Sequence, residues 1–336
     1  MLDRNLDILL IFPDPEPLWR GAAQTAARRL PRHKLHFAYT LDDAASYVAD
    51  ADVIVSFAFR EDFARRAARL KWIHGLGAGV DRILGVTGLA KEVILTNTRG
   101  IHADPVSEAA LGMMFALSRD FRRAVLDQRA KRWLPWDSLL LKGKTVGVYG
   151  IGAISEALGK KCQALGMRTV GITKRTDAVP GFDEMYSPAR RNSALGMADY
   201  VVLLAPLMSD NVGVVDRDFL AAMKPAAFLI NVARGPLVNN AELIVALREG
   251  RIGGAALDAN DPEPLPPESP LWEMDNVLIT PHIAGRFPEY LDRSLDIFEE
   301  NLACFIRADY GRMVNRVDRA TGMVGNPWHA VRQGAK

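Results

Sequence analysis

The sequence predicts an α/β protein of two domains, each built on a mostly parallel sheet that helices cover. Three observations lead to this prediction. Short apolar runs alternate with longer helical patterns, a glycine-rich strand-turn-helix pattern begins only near residue 145, and 336 residues are too many for one ordinary core. A separate α/β unit must therefore precede the glycine-rich pattern.

Eight short runs are predicted to be strands because they are apolar and rich in β-branched residues. They cover residues 8–12, 53–57, 93–96, 145–149, 168–172, 200–204, 228–231 and 277–279. Helical patterns separate most of them, and strands that are joined through helices pair in parallel. These runs therefore predict parallel sheets.

Two longer amphipathic patterns predict helices that connect the domains. The first covers residues 105–130, with Asp104 as N-cap and Pro105 at the first helical position. The second covers residues 288–306 and follows the last predicted strand. The chain is therefore expected to cross twice between its domains.

These crossings define the expected domains. A flavodoxin-like substrate domain is expected to combine residues 1–104 and 285–336, and a Rossmann-type doubly wound dinucleotide-binding domain to cover 105–284, with a hinged cleft between them. Residues 319–336 have weak periodicity and are expected to be a surface tail. Three glycines interrupt that tail, Gly322, Gly325 and Gly334.

Composition argues against several classes of function. Forty-two Lys and Arg against 40 Asp and Glu give a formal charge of +2, and no basic stretch is long enough to follow a nucleic acid. Cys162 and Cys304 lie in helix-like patterns, so neither a disulfide nor a metal site is expected. Charges interrupt the first residues, and no run of about 18 apolar residues occurs. We expect a cytoplasmic protein without a membrane partner.

The glycine-rich pattern predicts a dinucleotide site. Strand 145–149 leads into Gly150-Ile151-Gly152 and then a helix at 156–165. Gly150 permits a tight turn, and Gly152 lets the backbone approach a pyrophosphate at the helix amino end. Ser155 stands where a third glycine is usual. The cofactor contacts expected at this turn are Gly150, Gly152, Ala153 and Ile154.

The residues after the next strand favour NADP over NAD. Strand 168–172 ends in Thr173-Lys174-Arg175, where an NAD site normally has an acid that binds the ribose 2′-hydroxyl. A hydroxyl followed by two cations suits a 2′-phosphate instead. NAD remains possible, because these cations could also form an ordinary solvated turn.

Three residues in a fixed order predict proton and hydride chemistry. Arg234 ends an apolar strand and can hold a carboxylate, Glu263 lies between two prolines, and His282 follows a further strand. A carboxylate bonded to one imidazole nitrogen leaves the other nitrogen to exchange a proton with substrate. Asp258, at the end of a strand-like run, could accept from a nicotinamide carboxamide.

Together these segments resemble the D-isomer-specific 2-hydroxyacid dehydrogenase family over about residues 50–310. The resemblance rests on separated motifs in one order, Gly75-Leu76-Gly77-Ala78-Gly79-Val80-Asp81, Asn97-Thr98, Asn231-Val232-Ala233-Arg234-Gly235, Leu257-Asp258, Pro262-Glu263-Pro264-Leu265-Pro266 and Thr280-Pro281-His282-Ile283-Ala284-Gly285. Residues 77–81, 173–175 and 266–272 are most similar to NADPH-preferring glyoxylate and hydroxypyruvate reductases.

The resemblance implies a role for each site residue. It makes His282 the general acid and base, Glu263 its partner, Arg234 the substrate clamp and Asp258 a nicotinamide contact. It also implies that the substrate carboxylate binds to amides at Ala78 and Gly79, since a glycine-rich turn exposes N–H groups to an anion. Pro206 and Ala233 complete the expected cofactor contacts.

Some residues depart from the family pattern or allow two interpretations. Ser155, Arg99 and Asn240 replace a usual glycine, proline and acid. Arg286 could bind a second acidic group of the substrate or be a solvated charge. Trp133 and Trp136 could be core residues, but they lie where similar reductases form a homodimer and can extend an aromatic residue into the partner's active site. Trp136 is therefore counted with the substrate contacts.

The sequence therefore predicts an oxidoreductase that reduces a small 2-oxo acid, such as glyoxylate or hydroxypyruvate, to the D-2-hydroxy acid with NAD(P)H. One alternative keeps this chemistry and changes the acid to a phosphoglycerate, D-lactate or branched-chain type. Another is a nucleotide-sensing protein without catalysis. Formate or phosphite oxidation fits less well, because Glu263 and the amide turn suit an oxo acid that carries a carboxylate.

Overall fold

The computed structural model describes residues 5–12, 19, 21–175, 177–322 and 324–328. The chain divides into two compact units, the first formed by residues 1–101 and 287–336 and the second by residues 102–286. Within the described residues each unit contains a seven-stranded sheet. The predicted two-domain α/β fold is confirmed.

The strands of both units are short, as the apolar runs predicted. In chain order they are β1 (Asp7–Ile11), β2 (Lys34–Ala38), β3 (Val53–Ser56), β4 (Trp72–Gly75), β5 (Ile94–Asn97), β6 (Thr145–Tyr149), β7 (Arg168–Ile172), β8 (Glu184–Tyr186), β9 (Tyr200–Leu203), β10 (Phe228–Asn231), β11 (Gly254–Leu257), β12 (Val277–Ile279), β13 (Arg316–Val317) and β14 (Val324–Gly325).

The helices alternate with these strands. They are α1 (Ala22–Arg29), α2 (Leu41–Ala44), α3 (Glu61–Arg66), α4 (Asp81–Leu84), α5 (Ala103–Arg119), α6 (Phe121–Arg129), α7 (Ala153–Ala164), α8 (Arg191–Leu195), α9 (Arg217–Ala222), α10 (Asn240–Arg248) and α11 (Tyr290–Ile306).

The sheet of the first unit has the order β2-β1-β3-β4-β5-β13-β14. The first five strands are parallel to one another, β13 pairs antiparallel with β5, and β14 pairs antiparallel with β13. The prediction of a surface tail at 319–336 is wrong for part of this segment. β14 pairs with β13, and Trp328 is 7% exposed in a small apolar cluster with Ile297 and Val314. Residues 329–336, with Gly334, lie outside the described residues.

The sheet of the second unit is parallel throughout and has the order β8-β7-β6-β9-β10-β11-β12. Alternate residues of β9 enter different cores: Val201 and Leu203 belong to one cluster, Tyr200 and Val202 to another. Both faces are thus covered, as a parallel sheet requires. From β6 the chain continues to β7 on one side of β6, and it later returns to β9 on the other side of β6. This reversal places a crevice at the carboxyl ends of the strands.

The predicted helix at 105–130 is two helices. Asp120 interrupts it in a left-handed conformation with φ 52°, and its side chain accepts from the Arg123 amide as the N-cap of α6. The N-cap assigned to Asp104 is also wrong. The N-cap of α5 is His102, while Asp104 lies in the first helical turn, 2.9 Å from the Lys161 ammonium.

Two kinds of feature are absent from the described residues. No helix among them has the length and apolar character needed to cross a membrane. Within the same residues, no group of three or more His, Cys, Asp or Glu side chains could hold a metal ion. Cys162 and Cys304 are both buried thiols without a disulfide.

Candidate active site

Gly150 makes the turn that ends β6. Its φ is 96°, and a Cβ atom on it would lie 2.3 Å from the backbone of Ala205, so only glycine fits. Ser155, which replaces the usual third glycine, is buried and donates from its hydroxyl to the Gly150 carbonyl at 2.6 Å. The serine therefore fixes the turn.

The turn leads into α7, for which Gly152 is the N-cap and Ala153 the first residue. The free amides of this helical end are the groups that bind a pyrophosphate in dinucleotide sites. Gly159, on the same helix, allows close packing, because a Cβ atom there would lie 2.2 Å from the Gly181 carbonyl oxygen. Sequence reasoning missed Gly159, although a small residue four positions after Ser155 was a signal.

Lys174 and Arg175 follow β7 and are both paired with carboxylates. The Lys174 ammonium lies 2.7 Å from Asp210, and the Arg175 guanidinium lies 2.7 Å from Asp177 and 3.7 Å from Glu156. The hydrogen bond from Lys174 lowers the pKa of Asp210, and that from Arg175 lowers the pKa of Asp177. Sequence reasoning missed Asp210 as the partner of Lys174, since Asp210 comes from a different loop.

Asn231 joins the loops that follow β10 and β11. Its side-chain amide donates to the carbonyls of Arg234 at 3.0 Å and Ala259 at 3.1 Å, and its oxygen accepts from the Ala233 amide at 3.1 Å. The two loops touch closely, because a Cβ atom on Gly235 would lie 1.9 Å from the Asn260 carbonyl oxygen. The glycine after Arg234 is therefore a packing requirement.

Arg234 is partly buried, and its Nη1 donates to the Ala233 carbonyl at 2.8 Å. This bond helps to orient the guanidinium, whose planar set of N–H donors matches the geometry of a carboxylate. His102 is close enough to respond to this charge. Burial, with a smaller effect of the Arg234 charge, lowers the pKa of His102 to about 4, so this imidazole is neutral at pH 7.

His282 and Glu263 form the predicted pair. Nδ1 of His282 lies 2.9 and 3.0 Å from the two carboxylate oxygens, and the side chains are 46% and 20% exposed. The Asn260 amide also donates to Glu263 at 3.0 Å, which orients the carboxylate. An ionised carboxylate only accepts hydrogen bonds, so Nδ1 is the donor and Nε2 is available for proton transfer.

Asp258 holds the loop that carries His282. The carboxylate, 2% exposed, accepts from the Thr280 hydroxyl at 2.6 Å and from the amides of Ile283 at 2.8 Å and Ala284 at 2.9 Å. Its backbone carbonyl accepts from the His282 amide at 3.0 Å, while His282 itself has φ 53°. The contact of Asp258 with a nicotinamide carboxamide stays a prediction.

The other predicted residues take different positions. Arg286 is exposed four residues after His282, Ala233 is buried, and the exposed Pro206 has its carbonyl bonded to the Asn211 side chain at 2.8 Å. Trp136 is half-buried, with its indole N–H 3.3 Å from the Arg119 carbonyl oxygen. Ala78 and Gly79 belong to the first unit. Arg234, Glu263, His282 and Asp258 all lie in the second.

Comparison with known proteins identifies the family. A sequence profile for the NAD-binding domain of the D-isomer-specific 2-hydroxyacid dehydrogenases matches residues 111–284, which is more than half of the chain. The chain belongs to the D-isomer-specific 2-hydroxyacid dehydrogenase family. It is therefore an oxidoreductase, and the profile covers the glycine turn together with Arg234, Glu263 and His282.

Individual relatives agree with this assignment. A glyoxylate reductase from Thermofilum pendens is 33% identical over 251 residues, 72% of this chain and 74% of the relative. A glyoxylate reductase/hydroxypyruvate reductase from Mus musculus is 32% identical over 227 residues, 65% of this chain and 68% of the relative. The crystal structure of an NADPH-dependent glyoxylate/hydroxypyruvate reductase from Sinorhizobium meliloti, in complex with NADP and sulfate, is similar with a TM-score of 0.81 at 27% identity, covering 94% of this chain and 100% of that chain.

Proposed function

We propose that this protein reduces a small 2-oxo acid, of the glyoxylate or hydroxypyruvate type, to the D-2-hydroxy acid with NADPH. The observation that carries the proposal is the His282–Glu263 pair at 2.9 Å, on a loop that Asp258 holds in place, within a dinucleotide-binding sheet. The names of the Thermofilum pendens, Mus musculus and Sinorhizobium meliloti relatives support the choice of substrate and cofactor.

The residues present suit a nicotinamide dinucleotide. Gly150 makes the tight turn, α7 offers amides at its amino end, and Thr173, Lys174 and Arg175 follow β7 where a 2′-phosphate would bind. The cofactor supplies the hydride. Asp210, Asp177 and Glu156 counter the two cations, which leaves binding of NADH possible.

Side chains of the second unit would transfer the proton and orient the substrate. Protonated His282 would donate from Nε2 to the oxygen of the substrate carbonyl as hydride reaches its carbon. Glu263 would accept from Nδ1 and so fix the tautomer and the orientation of the ring. Arg234 would bind the oxo acid and favour the developing negative charge on the oxygen. In the reverse direction the same imidazole would accept the proton.

Other contacts belong to the same proposal. The backbone amides of Ala78 and Gly79 would bind the substrate carboxylate. Pro206, Ala233 and Asp258 would contact the cofactor. Arg286 either binds a second acidic group of a larger substrate or remains a solvated charge, and rates with a phosphorylated oxo acid would distinguish these roles.

The proposed assembly is a homodimer. The segment after α6 exposes large apolar side chains, with Trp133 at 94% and Leu140 at 64% exposure, and α6 itself exposes Phe121 and Val125. Exposed aromatic and aliphatic side chains of this size are typical of a protein interface. A second copy of the chain is the occupant that we propose, in which Trp136 would reach the partner's substrate. A cytoplasmic location stays a prediction.

Initial rates test the proposed function. Purified protein should reduce glyoxylate or hydroxypyruvate faster with NADPH than with NADH, and larger oxo acids should react more slowly. His282→Ala should lower kcat by about two to four orders of magnitude, because the proton donor is lost, while NADPH still binds. His33→Ala, which changes a histidine of the first unit, is the matched control.

Two outcomes would contradict the proposal. Turnover of His282→Ala close to that of the native protein would remove this histidine from its proposed role. Tight binding of NADPH with no turnover of any oxo acid would favour a nucleotide-sensing protein. Faster reduction of phosphoglycerate-type, D-lactate-type or branched-chain oxo acids would change the substrate and keep the chemistry.

A further inference from the structure

The turn after β4 is held by its carbonyl groups. Residues 77–79 of this turn are half-buried, and three successive carbonyl oxygens accept hydrogen bonds from other segments of the first unit. The donors are the Tyr290 hydroxyl to Leu76 at 2.5 Å, the Thr98 amide to Gly77 at 3.2 Å and the Asn97 side-chain amide to Ala78 at 2.8 Å.

Because these carbonyls are held, the orientation of three backbone N–H groups is also fixed. A trans peptide is planar, and its N–H points opposite to its C=O. The held carbonyl of Leu76 therefore fixes the N–H of Gly77, and the next two carbonyls fix the N–H groups of Ala78 and Gly79. Among the described residues these three N–H groups donate to no protein acceptor. Successive free amides of this kind suit an anion.

Asn97, the last residue of β5, is buried and held on both sides. Its side-chain oxygen accepts from the Arg99 amide at 3.1 Å, which turns its NH₂ group to the Ala78 carbonyl. Its backbone amide donates to the Asn315 carbonyl at 3.2 Å. The Asn315 side chain donates in turn to the carbonyls of Asn97 at 3.0 Å and Arg99 at 2.6 Å.

Asn315 connects this arrangement to the carboxyl-terminal strands. It is fully buried with φ 53°, a left-handed conformation that asparagine tolerates. Its side-chain oxygen accepts from the Trp328 backbone amide at 2.9 Å, and its backbone amide donates to the Asn326 carbonyl at 2.9 Å. A chain of hydrogen bonds therefore runs from the carboxyl-terminal segment through Asn97 to the turn.

We propose that Tyr290, Asn97 and Asn315 are positioning residues that preset the amides of residues 77–79 for the carboxylate of the oxo acid. This inference rests on the proposed function, because that function supplies the carboxylate. Amides that are already oriented bind an anion without the cost of reorganising the turn. Loss of one hydrogen bond should therefore weaken substrate binding more than it slows turnover.

Two variants that add no charge test the proposal. Tyr290→Phe removes only a hydroxyl, and the ring keeps its packing with Phe57 and Trp19. Asn97→Ala removes the donor to Ala78 together with the acceptor for the Arg99 amide. With saturating NADPH, each should raise KM for glyoxylate about three- to tenfold and change kcat by less than about twofold. The affinity for NADPH should not change.

Asp52→Ala is the matched control for a general loss of stability. Asp52 is buried and accepts from the Asp7 amide at 3.2 Å, before β3 and therefore at the opposite end of the strands from the turn. It should lower Tm without raising KM. Methyl glyoxylate adds a second control, because it lacks the carboxylate charge, so its kcat/KM should be the same for the native protein and Tyr290→Phe.

Calorimetric titration of oxalate, a dicarboxylate that is not reduced, separates this inference from the proposed function. Oxalate should bind Tyr290→Phe and Asn97→Ala about three- to tenfold more weakly than the native protein. That result would support the positioning role even if no oxo acid were turned over, an outcome that would overturn the proposed function alone. Native affinity in both variants, no oxalate binding to the native protein, or an equal rise of KM in Asp52→Ala would overturn the inference.

Discussion

Asp258 shows how one buried carboxylate can define the position of another residue. It accepts from Thr280, Ile283 and Ala284, which lie on both sides of His282. Hydrogen bonds to a charged acceptor contribute about 1.5–3 kcal/mol each. The position of the imidazole therefore depends on Asp258 as much as on its own partner, Glu263.

Asp258→Asn should weaken this support, because an amide has one acceptor oxygen for three donors. We expect kcat to fall about 10- to 100-fold and Tm to decrease by several degrees, while the Kd of NADPH rises by less than about tenfold, as for the loss of one hydrogen bond to the nicotinamide. Steady-state kinetics, calorimetry and cofactor titration measure the three quantities. A large rise in the Kd of NADPH with normal kcat and Tm would show that Asp258 acts only through the nicotinamide and does not hold the loop.

The carboxylates near Lys174 and Arg175 predict a change in cofactor preference. Asp210→Asn removes a negative charge beside Lys174, which is 80% exposed, so the side chain can move to a 2′-phosphate. We expect the Kd of NADPH to decrease about two- to fivefold at low salt, and that of NADH to stay constant. Fluorescence titration with both nucleotides measures this.

The Arg217–Glu242 pair provides the control for that experiment. It is also an ion pair at the surface of the second unit, with Nε of Arg217 3.2 Å from Glu242, but its residues belong to α9 and α10. Glu242→Gln should leave both nucleotide affinities unchanged. An equal gain in NADPH affinity in this variant would point to net charge, and an unchanged Asp210→Asn would exclude Asp210 as a determinant of preference.

At the scale of elements, β13 and β14 extend the sheet of the first unit, and Trp328 follows them into an apolar cluster. A Cβ atom on Gly100 would lie 3.1 Å from the Trp328 ring, so the indole packs directly against the backbone. A segment without clear periodicity is in this way part of the fold.

Trp328→Ala should therefore destabilise the protein. Removal of a buried indole costs about 3–5 kcal/mol of unfolding free energy, from lost apolar burial and the cavity that remains. Thermal and urea unfolding would measure the loss. Tyr39→Ala, which removes an exposed ring of the same unit, is the control and should change stability by less than about 0.5 kcal/mol. Equal stability of the two variants would contradict burial of the carboxyl-terminal segment.

At the scale of the whole molecule, the apolar surface formed by α6 and the segment after it predicts association. Leu140→Asp places a charge in this surface and should convert the proposed homodimer to a monomer at micromolar concentrations, because an unpaired buried charge is costly. Light scattering after size-exclusion chromatography gives the mass. Val212→Asp, at another exposed apolar residue, should remain dimeric. A native protein of monomer mass would refute the predicted interface.

Much of the fold follows from the local pattern of residues. The strands at 145–149, 168–172, 228–231 and 277–279 were predicted with the observed bounds, because both faces of this sheet are largely buried and the runs are mainly apolar. β2 was missed, since Lys34 and His36 interrupt its apolar character. The helix break at Asp120 was missed because a left-handed residue leaves no change in amphipathic period.

The sequence by itself determined the α/β class, the glycine turn and the family motifs that hold Arg234, Glu263 and His282. These depend on neighbours along the chain, where one residue type fits one backbone geometry. Only the tertiary structure decided which groups meet from distant segments: Asp210 with Lys174, Asp258 with the His282 loop, and Asn315 with Asn97. Such contacts depend on how strands and loops are placed side by side, and no local pattern encodes that placement.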